Sequence, residues 1–302
     1  MPTPVYTRED LITFTPRFTS FVGIDSDGCI FPTMEIKQKQ CFHSLIISTW
    51  KLTPVEKAVR EAAEFVNLHS IFRGQNRFVC LLKTFDLLRS HPDVLRAGFP
   101  LPPVDSLRAF CESGLPLSNP VLEKHVQETN DPELRRLLDW SLAVNASVTR
   151  TVKNIKPFKW VMDSLEDIRR KSDAICVSQT PTEALVREWE EHGITTYVAI
   201  IAGQELGTKK EHLELATRGR YPADRVLMIG DAPGDLNAAR AVGAHFFPIN
   251  PGHEEASWEC FHKEAYARFL EGKYDHVYET ALIDRFRALL PDTPPWLTRR
   301  TA

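Results

Sequence analysis

Three short apolar runs in this chain of 302 residues each end on a polar residue that phosphate chemistry can use. FVGI precedes Asp25, AICV precedes Ser178, and VLMIG precedes Asp231. In an open parallel α/β sheet the carboxyl ends of the strands share one edge, and ligands bind in the crevice outside that edge. We therefore expect these residues, which are far apart in sequence, to meet at one edge of such a sheet.

Two pairs of carboxylates, in IDSDG and GDAPGD, suit metal-assisted phosphoryl transfer. Mg²⁺ prefers oxygen ligands, and Asp25 and Asp231 suit that role, with Asp235 one helical turn after Asp231. An aspartate beside the metal can also attack phosphorus, and Asp25 is the better placed of its pair because it comes first after its strand. Asp27 is then the candidate acid and base, which protonates the leaving oxygen and later activates water.

The hydroxyl of Ser178 is a candidate ligand for a phosphate oxygen. A hydroxyl, a proline and a glutamate in Thr180-Pro181-Thr182-Glu183 predict a helix that begins at Thr180 and points its positive end at the same place. The other interpretation is that Ser178 is an ordinary turn residue before a capped helix.

A lysine completes the set of candidate residues. Thr208 and Glu211 form a capping box that places Lys209 in the first turn of a helix. A cation is unfavourable there unless an anion compensates for the helix dipole. A lysine that holds a phosphoryl oxygen or pairs with Asp25 explains this position, and the adjacent Lys210 is the alternative for the same role.

The elements that must position these residues alternate between strands and helices in the carboxyl-terminal half, which favours a parallel sheet with crossover helices. Strands are predicted at AICV, at YVAII (197–201), at VLMI (226–229) and at HFFPI (245–249). Helices are predicted from about 157, 180 and 208, and over 235–243.

Strand-like runs almost disappear between residue 31 and about residue 155, and helical periodicity replaces them. Thr53-Pro54, Asn119-Pro120 and Asp131-Pro132 are typical helix starts. The stretch is too long to be a loop within a compact domain. We therefore predict an α/β core formed by 1–30 and 156–302, with a helical domain inserted over 31–155.

The composition restricts the classes of partner. The net charge of −3 gives no broad basic field, so we expect no nucleic-acid partner. No window approaches the roughly 20 apolar residues that cross a bilayer, and the first residues, MPTPVYTREDLITF, lack the pattern of a signal peptide. We expect a cytoplasmic protein without a membrane partner. The six cysteines are scattered and are predicted to be reduced.

In this order, IDSDG, Ser178, Lys209 and GDAPGD resemble the four signature motifs of the haloacid dehalogenase-like hydrolase superfamily, over about 21–29 and 157–251. The resemblance implies a Rossmann-like core with an inserted all-helical cap, which sets substrate specificity. It implies a backbone carbonyl, that of Asp27, as a further magnesium ligand. The roles that it implies are Asp25 as nucleophile, Asp27 as acid and base, Ser178 and Lys209 as stabilisers of the phosphate and the intermediate, and Asp231 with Asp235 as the metal site.

The function that this resemblance implies is a Mg²⁺-dependent phosphatase acting on a small phosphorylated metabolite. The presence of Asp27 argues against dehalogenation, because the dehalogenases of the superfamily lack this second aspartate. Two alternatives remain open, namely a sugar-phosphate phosphomutase that uses the same site and a non-catalytic protein that binds a phosphate ligand.

One segment of the predicted cap, HSIFRGQNRF at 69–78, gathers polar residues around a glycine. Arginine binds phosphate and carboxylate groups with paired hydrogen bonds. We therefore predict that Arg73, Asn76 and Arg77 bind the substrate. The other interpretation is a solvated turn between two helices.

Overall fold

The computed structural model describes residues 5–298. Five strands within this range form one sheet, and every neighbouring pair is parallel. The strands are β1 (Phe21–Ile24), β2 (Asp173–Val177), β3 (Ile200–Ala202), β4 (Val226–Gly230) and β5 (His245–Pro248). Their order is β3-β2-β1-β4-β5, so β1 is the central strand. The predicted α/β fold with a parallel sheet is confirmed.

The register of the sheet aligns the carboxyl ends of its three central strands. Ile24 of β1 pairs with Cys176 of β2 and with Ile229 of β4. Every residue of these three strands is buried, as expected for strands covered on both faces. The residues that follow them therefore leave the sheet at the same edge.

The contacts divide the described residues into two compact units. The core unit consists of 5–34 and 153–289, and the helical unit consists of 35–152 and 290–298. The sequence-based boundaries lie within a few residues of these at both crossings, but they gave the whole carboxyl-terminal end to the core. The residues from 290 instead pack on the helical unit, where the Pro291 carbonyl accepts a hydrogen bond from Ile71 N at 3.3 Å. The Trp296 and Phe65 rings also meet there at 5.8 Å.

Helices of the core unit alternate with the strands, and one short helix precedes β1. Their bounds are Arg8–Ile12, Val161–Lys171, Thr182–Glu191, Lys209–Thr217, Pro233–Ala241, Glu254–Cys260, Tyr266–Leu270 and His276–Ala288. The helix predicted from Thr180 begins at Thr182, and Pro181 is its N-cap residue. The third strand lies over 200–202 rather than 197–201, because 195–197 forms a short 3₁₀ turn.

The helical unit has its own apolar core and no strand within its described residues. A π-helical segment, Lys37–Phe42, leads into it. Its α-helices are His43–Thr49, Glu56–Leu68, Arg77–Arg89, Pro92–Ala97, Asp105–Glu112, Asn119–Thr129, Pro132–Thr151 and Pro295–Thr298. The predicted start at Asp131 is confirmed, since its side chain accepts hydrogen bonds from Glu133 N and Leu134 N.

All six cysteines are free thiols, as their scattered positions predict. Over residues 5–298, the chain forms no helix with both the length and the apolar character that crossing a membrane requires.

Candidate active site

Asp25 follows β1 directly, in a tight turn held by backbone hydrogen bonds. Its side chain is almost fully buried, and its backbone N–H donates to the Ile229 carbonyl of β4 at 2.9 Å. The turn continues at Gly28, which has a φ of 76° that favours glycine. The Ser26 carbonyl accepts a hydrogen bond from Ile30 N at 2.9 Å and closes the turn. The carboxylate of Asp25 is therefore fixed at the end of the central strand.

Two buried tryptophans brace this turn. Trp189, from the helix that follows β2, donates from Nε1 to Ser26 Oγ at 3.0 Å. Trp258, from the helix that follows β5, donates from Nε1 to the Cys29 carbonyl at 2.8 Å. Sequence reasoning did not identify either residue, because their contacts span 163 and 229 positions and no local pattern marks them.

Asp231 and Asp235 lie beside Asp25, as the sequence predicts. One carboxylate oxygen from each of the three residues lies within 4.8 Å of the others, and all three side chains are buried. Asp235 is held in place by Ala232 N, which donates to its Oδ2 at 3.0 Å. Gly230 leaves room for this carboxylate, because a Cβ atom at that position would overlap the Asp235 side chain.

Lys209 forms ion pairs with two of the three carboxylates. Its Nζ lies 2.9 Å from Asp25 Oδ2 and 2.6 Å from Asp235 Oδ1. The capping box predicted for its helix is present, with Thr208 as the N-cap residue. Lys210 is exposed, so the structure favours Lys209 as the lysine of this cluster.

The charges in this cluster act strongly on one another. Burial raises the pKa of Asp25 well above its ordinary value, and Asp235 and Asp231 raise it further, whereas Lys209 lowers it. Burial lowers the pKa of Lys209, but Asp235 and Asp25 outweigh this effect and the net shift is upward. The cluster contains more carboxylates than ammonium groups. Its buried, hard oxygen donors fit a divalent cation such as Mg²⁺.

Asp27 is not one of the three clustered carboxylates, and its side chain accepts hydrogen bonds from two hydroxyl groups. Thr180 Oγ1 donates to its Oδ2 at 2.7 Å, and Thr33 Oγ1 donates to its Oδ1. Thr180 was predicted to begin a helix, but its hydroxyl is used for this contact. The predicted role of the Asp27 carbonyl as a metal ligand stays a prediction.

Ser178 follows β2 at the same edge of the sheet. Its backbone N–H donates to the Ala202 carbonyl at 2.9 Å, and its Oγ accepts a hydrogen bond from Thr180 N at 3.2 Å. The hydroxyl hydrogen of Ser178 can therefore still donate to a ligand oxygen. Ser178 and Asp25 follow adjacent, parallel strands, as the sequence predicts.

Arg73, Asn76 and Arg77 make contacts that stabilise the helical unit itself. Arg73 is buried and donates to the Leu68 carbonyl at 3.0 Å. The Asn76 side chain caps the helix Arg77–Arg89. Arg77 donates from Nη1 to Asn145 Oδ1 at 2.7 Å, and burial lowers its pKa to about 10. All three residues thus make contacts within the helical unit, and their role in binding substrate stays a prediction.

Comparisons with known proteins give matches among solved structures. The chain is similar to a haloacid dehalogenase-like hydrolase from Streptococcus pneumoniae (12% identity, 80% of this chain and 90% of that chain, TM-score 0.41). It is similar to a subfamily IA hydrolase of the same superfamily from Geobacter sulfurreducens (14% identity, 78% of this chain and 90% of that chain, TM-score 0.38). It is also similar to a haloacid dehalogenase-like hydrolase from Bacteroides fragilis, with 15% identity over 80% of this chain and 93% of that chain and a TM-score of 0.47. No family model and no curated protein matches the sequence.

Proposed function

We propose that this protein is a haloacid dehalogenase-like hydrolase, and that it is a Mg²⁺-dependent phosphatase that acts on a small phosphorylated metabolite. The observation that carries the proposal is the meeting of three buried carboxylates and one lysine, whose side chain is only 15% exposed, at the carboxyl edge of the sheet. A phosphoryl group bound at this edge would meet an oxygen nucleophile and positive charge together.

Asp25 is the nucleophile in this proposal. Lys209 Nζ lies 2.9 Å from its Oδ2, and Ser26 N donates to its Oδ1 at 2.8 Å, so the carboxylate is fixed at both oxygens. An oxygen of Asp25 forms a bond to phosphorus while the ester P–O bond breaks, and Asp27 gives its proton to the leaving oxygen. Water then attacks phosphorus and gives a proton to Asp27. Phosphate leaves, and the Asp25 carboxylate is restored.

The remaining site residues bind and orient the phosphoryl group. The Ser178 hydroxyl and the Lys209 ammonium donate hydrogen bonds to its oxygens. The carboxylates of Asp25, Asp231 and Asp235, with the carbonyl of Asp27, would hold Mg²⁺. The cation supplies neutralisation of the charge on the phosphoryl oxygens when it is bound.

The test is release of phosphate from a panel of phosphate monoesters, measured in Mg²⁺ and in EDTA. We expect Mg²⁺-dependent release that Asp25→Asn lowers by at least about a thousandfold, because loss of a nucleophile costs more than this in a well-studied hydrolase. Asp163→Asn, an exposed aspartate of the core unit, is the matched control and should leave release unchanged. Circular dichroism should show the same fold in all three proteins.

Two outcomes would contradict the proposal. Wild-type turnover in Asp25→Asn would remove Asp25 as the nucleophile. Conversion of a sugar phosphate into its isomer without free phosphate would replace hydrolysis by the phosphomutase reaction, since both reactions use the same nucleophile and acid.

A further inference from the structure

Both carboxylate oxygens of Asp27 accept hydrogen bonds from threonine hydroxyls that come from separate segments of the core unit. Thr33 Oγ1 donates to Oδ1, and Thr180 Oγ1 donates to Oδ2 at 2.7 Å. Asp27 and Thr33 are six positions apart, whereas Thr180 is 153 positions away and lies after β2. A carboxylate held at one oxygen can rotate about its terminal bond, but a carboxylate held at both oxygens by separate segments is fixed in orientation.

The backbone around Thr180 holds its hydroxyl in place. Thr180 N donates to Ser178 Oγ at 3.2 Å, and the Thr180 carbonyl accepts a hydrogen bond from Gln204 N at 3.1 Å. Gly203 allows this close approach, because a Cβ atom there would lie 2.7 Å from the Thr180 carbonyl oxygen. Pro181 restricts the backbone immediately after Thr180. Thr180 is thus fixed by contacts that do not depend on Asp27.

The second hydroxyl is equally well supported. Thr33 is buried, with 1% of its surface exposed, and it is the first residue of the helix Thr33–Ile36. The turn between Asp27 and Thr33 is closed by Gly28 N, which donates to the Phe31 carbonyl at 2.9 Å. The two hydroxyls therefore approach the Asp27 carboxylate from two fixed pieces of backbone.

We propose that Thr180 and Thr33 are positioning residues, which orient the Asp27 carboxyl for transfer of its proton to the leaving-group oxygen. The inference rests on the proposed function, in which Asp27 is the acid and base. Each threonine occupies one lone-pair direction on its oxygen, so the Asp27 proton is confined to the directions that remain. Neither threonine touches the phosphoryl group in this proposal.

The test compares two probes that differ in their need for a proton. Phenyl phosphate releases a phenol with a pKa of about 10, like the tyrosine side chain. The phenol of p-nitrophenyl phosphate is more acidic and leaves with less proton transfer. Thr180→Val removes the hydroxyl and keeps the shape of the side chain. We expect it to lower kcat/KM, which reports the step in which the phenol leaves, about tenfold more for phenyl phosphate than for p-nitrophenyl phosphate, a fraction of the 10²–10⁴ that general acid catalysis contributes.

Three further variants complete the design. Thr33→Val should change the ratio of the two kcat/KM values in the same direction, and Thr180→Ser should restore the wild-type ratio because it restores the hydroxyl. Thr182→Val is the matched control, since the hydroxyl of Thr182, the first residue of the helix that follows, donates to Glu205 Oε2 at 2.7 Å rather than to Asp27.

The inference is overturned if Thr180→Val lowers both kcat/KM values equally, or if Thr180→Ser does not restore the ratio while thermal melts show that it is folded. Such a result leaves the proposed function intact when turnover still depends on Asp25. Turnover of both probes that persists in Asp25→Asn instead contradicts the proposed function, and the positioning role falls with it.

Discussion

Removal of the Lys209 ammonium should destabilise the core unit in the absence of metal. Its Nζ lies 2.9 Å from Asp25 Oδ2 and 2.6 Å from Asp235 Oδ1, and only 15% of the side chain is exposed. Lys209→Met keeps most of the length of the side chain and removes its charge. The variant therefore leaves three carboxylates facing one another with no ammonium group between them.

The magnitude follows from the burial of these charges. At an effective dielectric constant of about 20, two unit charges separated by about 3 Å attract each other by about 6 kcal/mol. Desolvation of the ammonium group offsets a large part of this attraction. Removing one partner of a buried ion pair costs about 3–5 kcal/mol in measured cases, and we expect Lys209→Met to lower the free energy of unfolding by a similar amount.

The assay is urea denaturation followed by tryptophan fluorescence, in EDTA and in Mg²⁺. A divalent cation bound by the carboxylates would offset their repulsion, so Mg²⁺ should stabilise Lys209→Met more than it stabilises the wild-type protein. Lys210→Met is the matched control, because Lys210 is exposed and its loss should stay within about 0.5 kcal/mol. An equal loss of stability in both variants, or no loss in Lys209→Met, would refute the reasoning.

Three further substitutions test packing and titration. Gly230→Ala should cost about 1–3 kcal/mol in a urea melt, because its Cβ would overlap Asp235, whereas Gly234→Ala, on a helix with open space around it, should stabilise by about 0.5–1 kcal/mol. The opposite order of these two effects would contradict the packing. His43 is fully buried, and burial lowers its pKa from 6.5 to about 3. The unfolded chain therefore binds the His43 proton more readily than the folded protein does. The free energy of unfolding is at its full value above pH 6.5, and it falls as the pH drops from 6.5 towards 3. Between pH 6.5 and 4, the free energy of unfolding of His43→Leu should therefore fall by about 3 kcal/mol less than that of the wild-type protein, as measured by urea denaturation. Equal decreases in the two proteins would show that His43 does not titrate as inferred.

The parallel sheet and the meeting of its acidic residues could be predicted because both follow from short-range patterns. A buried parallel strand is a short apolar run, and the polar residue after it must emerge at the carboxyl edge. Asp25, Asp231 and Asp235 meet at this edge as predicted. The order of the strands was not needed for that prediction, since any order of parallel strands brings their carboxyl ends to the same side.

Thr180 shows where a local pattern has two possible uses. A hydroxyl before a proline at the first helical position, with a glutamate at the third helical position, is typical of a helix N-cap. In the structure the helix begins two residues later, and the Thr180 hydroxyl donates a hydrogen bond to Asp27. Because Asp27 lies 153 positions away in the sequence, a local pattern could not predict this competing hydrogen bond.

The segment 69–78 shows a second limit of prediction from the sequence, which comes from the chemistry of the side chains rather than from the topology of the fold. An arginine that binds a ligand and an arginine that satisfies carbonyl groups within a helical bundle have the same side chain and the same local sequence. Arg77 donates to Ser141 and Asn145, which lie 64 and 68 positions away on another helix. Parallel strands deliver their ends to one edge whatever the details of packing, but contacts between helices depend on which faces meet. Sequence patterns can therefore predict which residues meet at the edge of the sheet, whereas they cannot predict whether an arginine of the helical unit binds a ligand or only stabilises the fold.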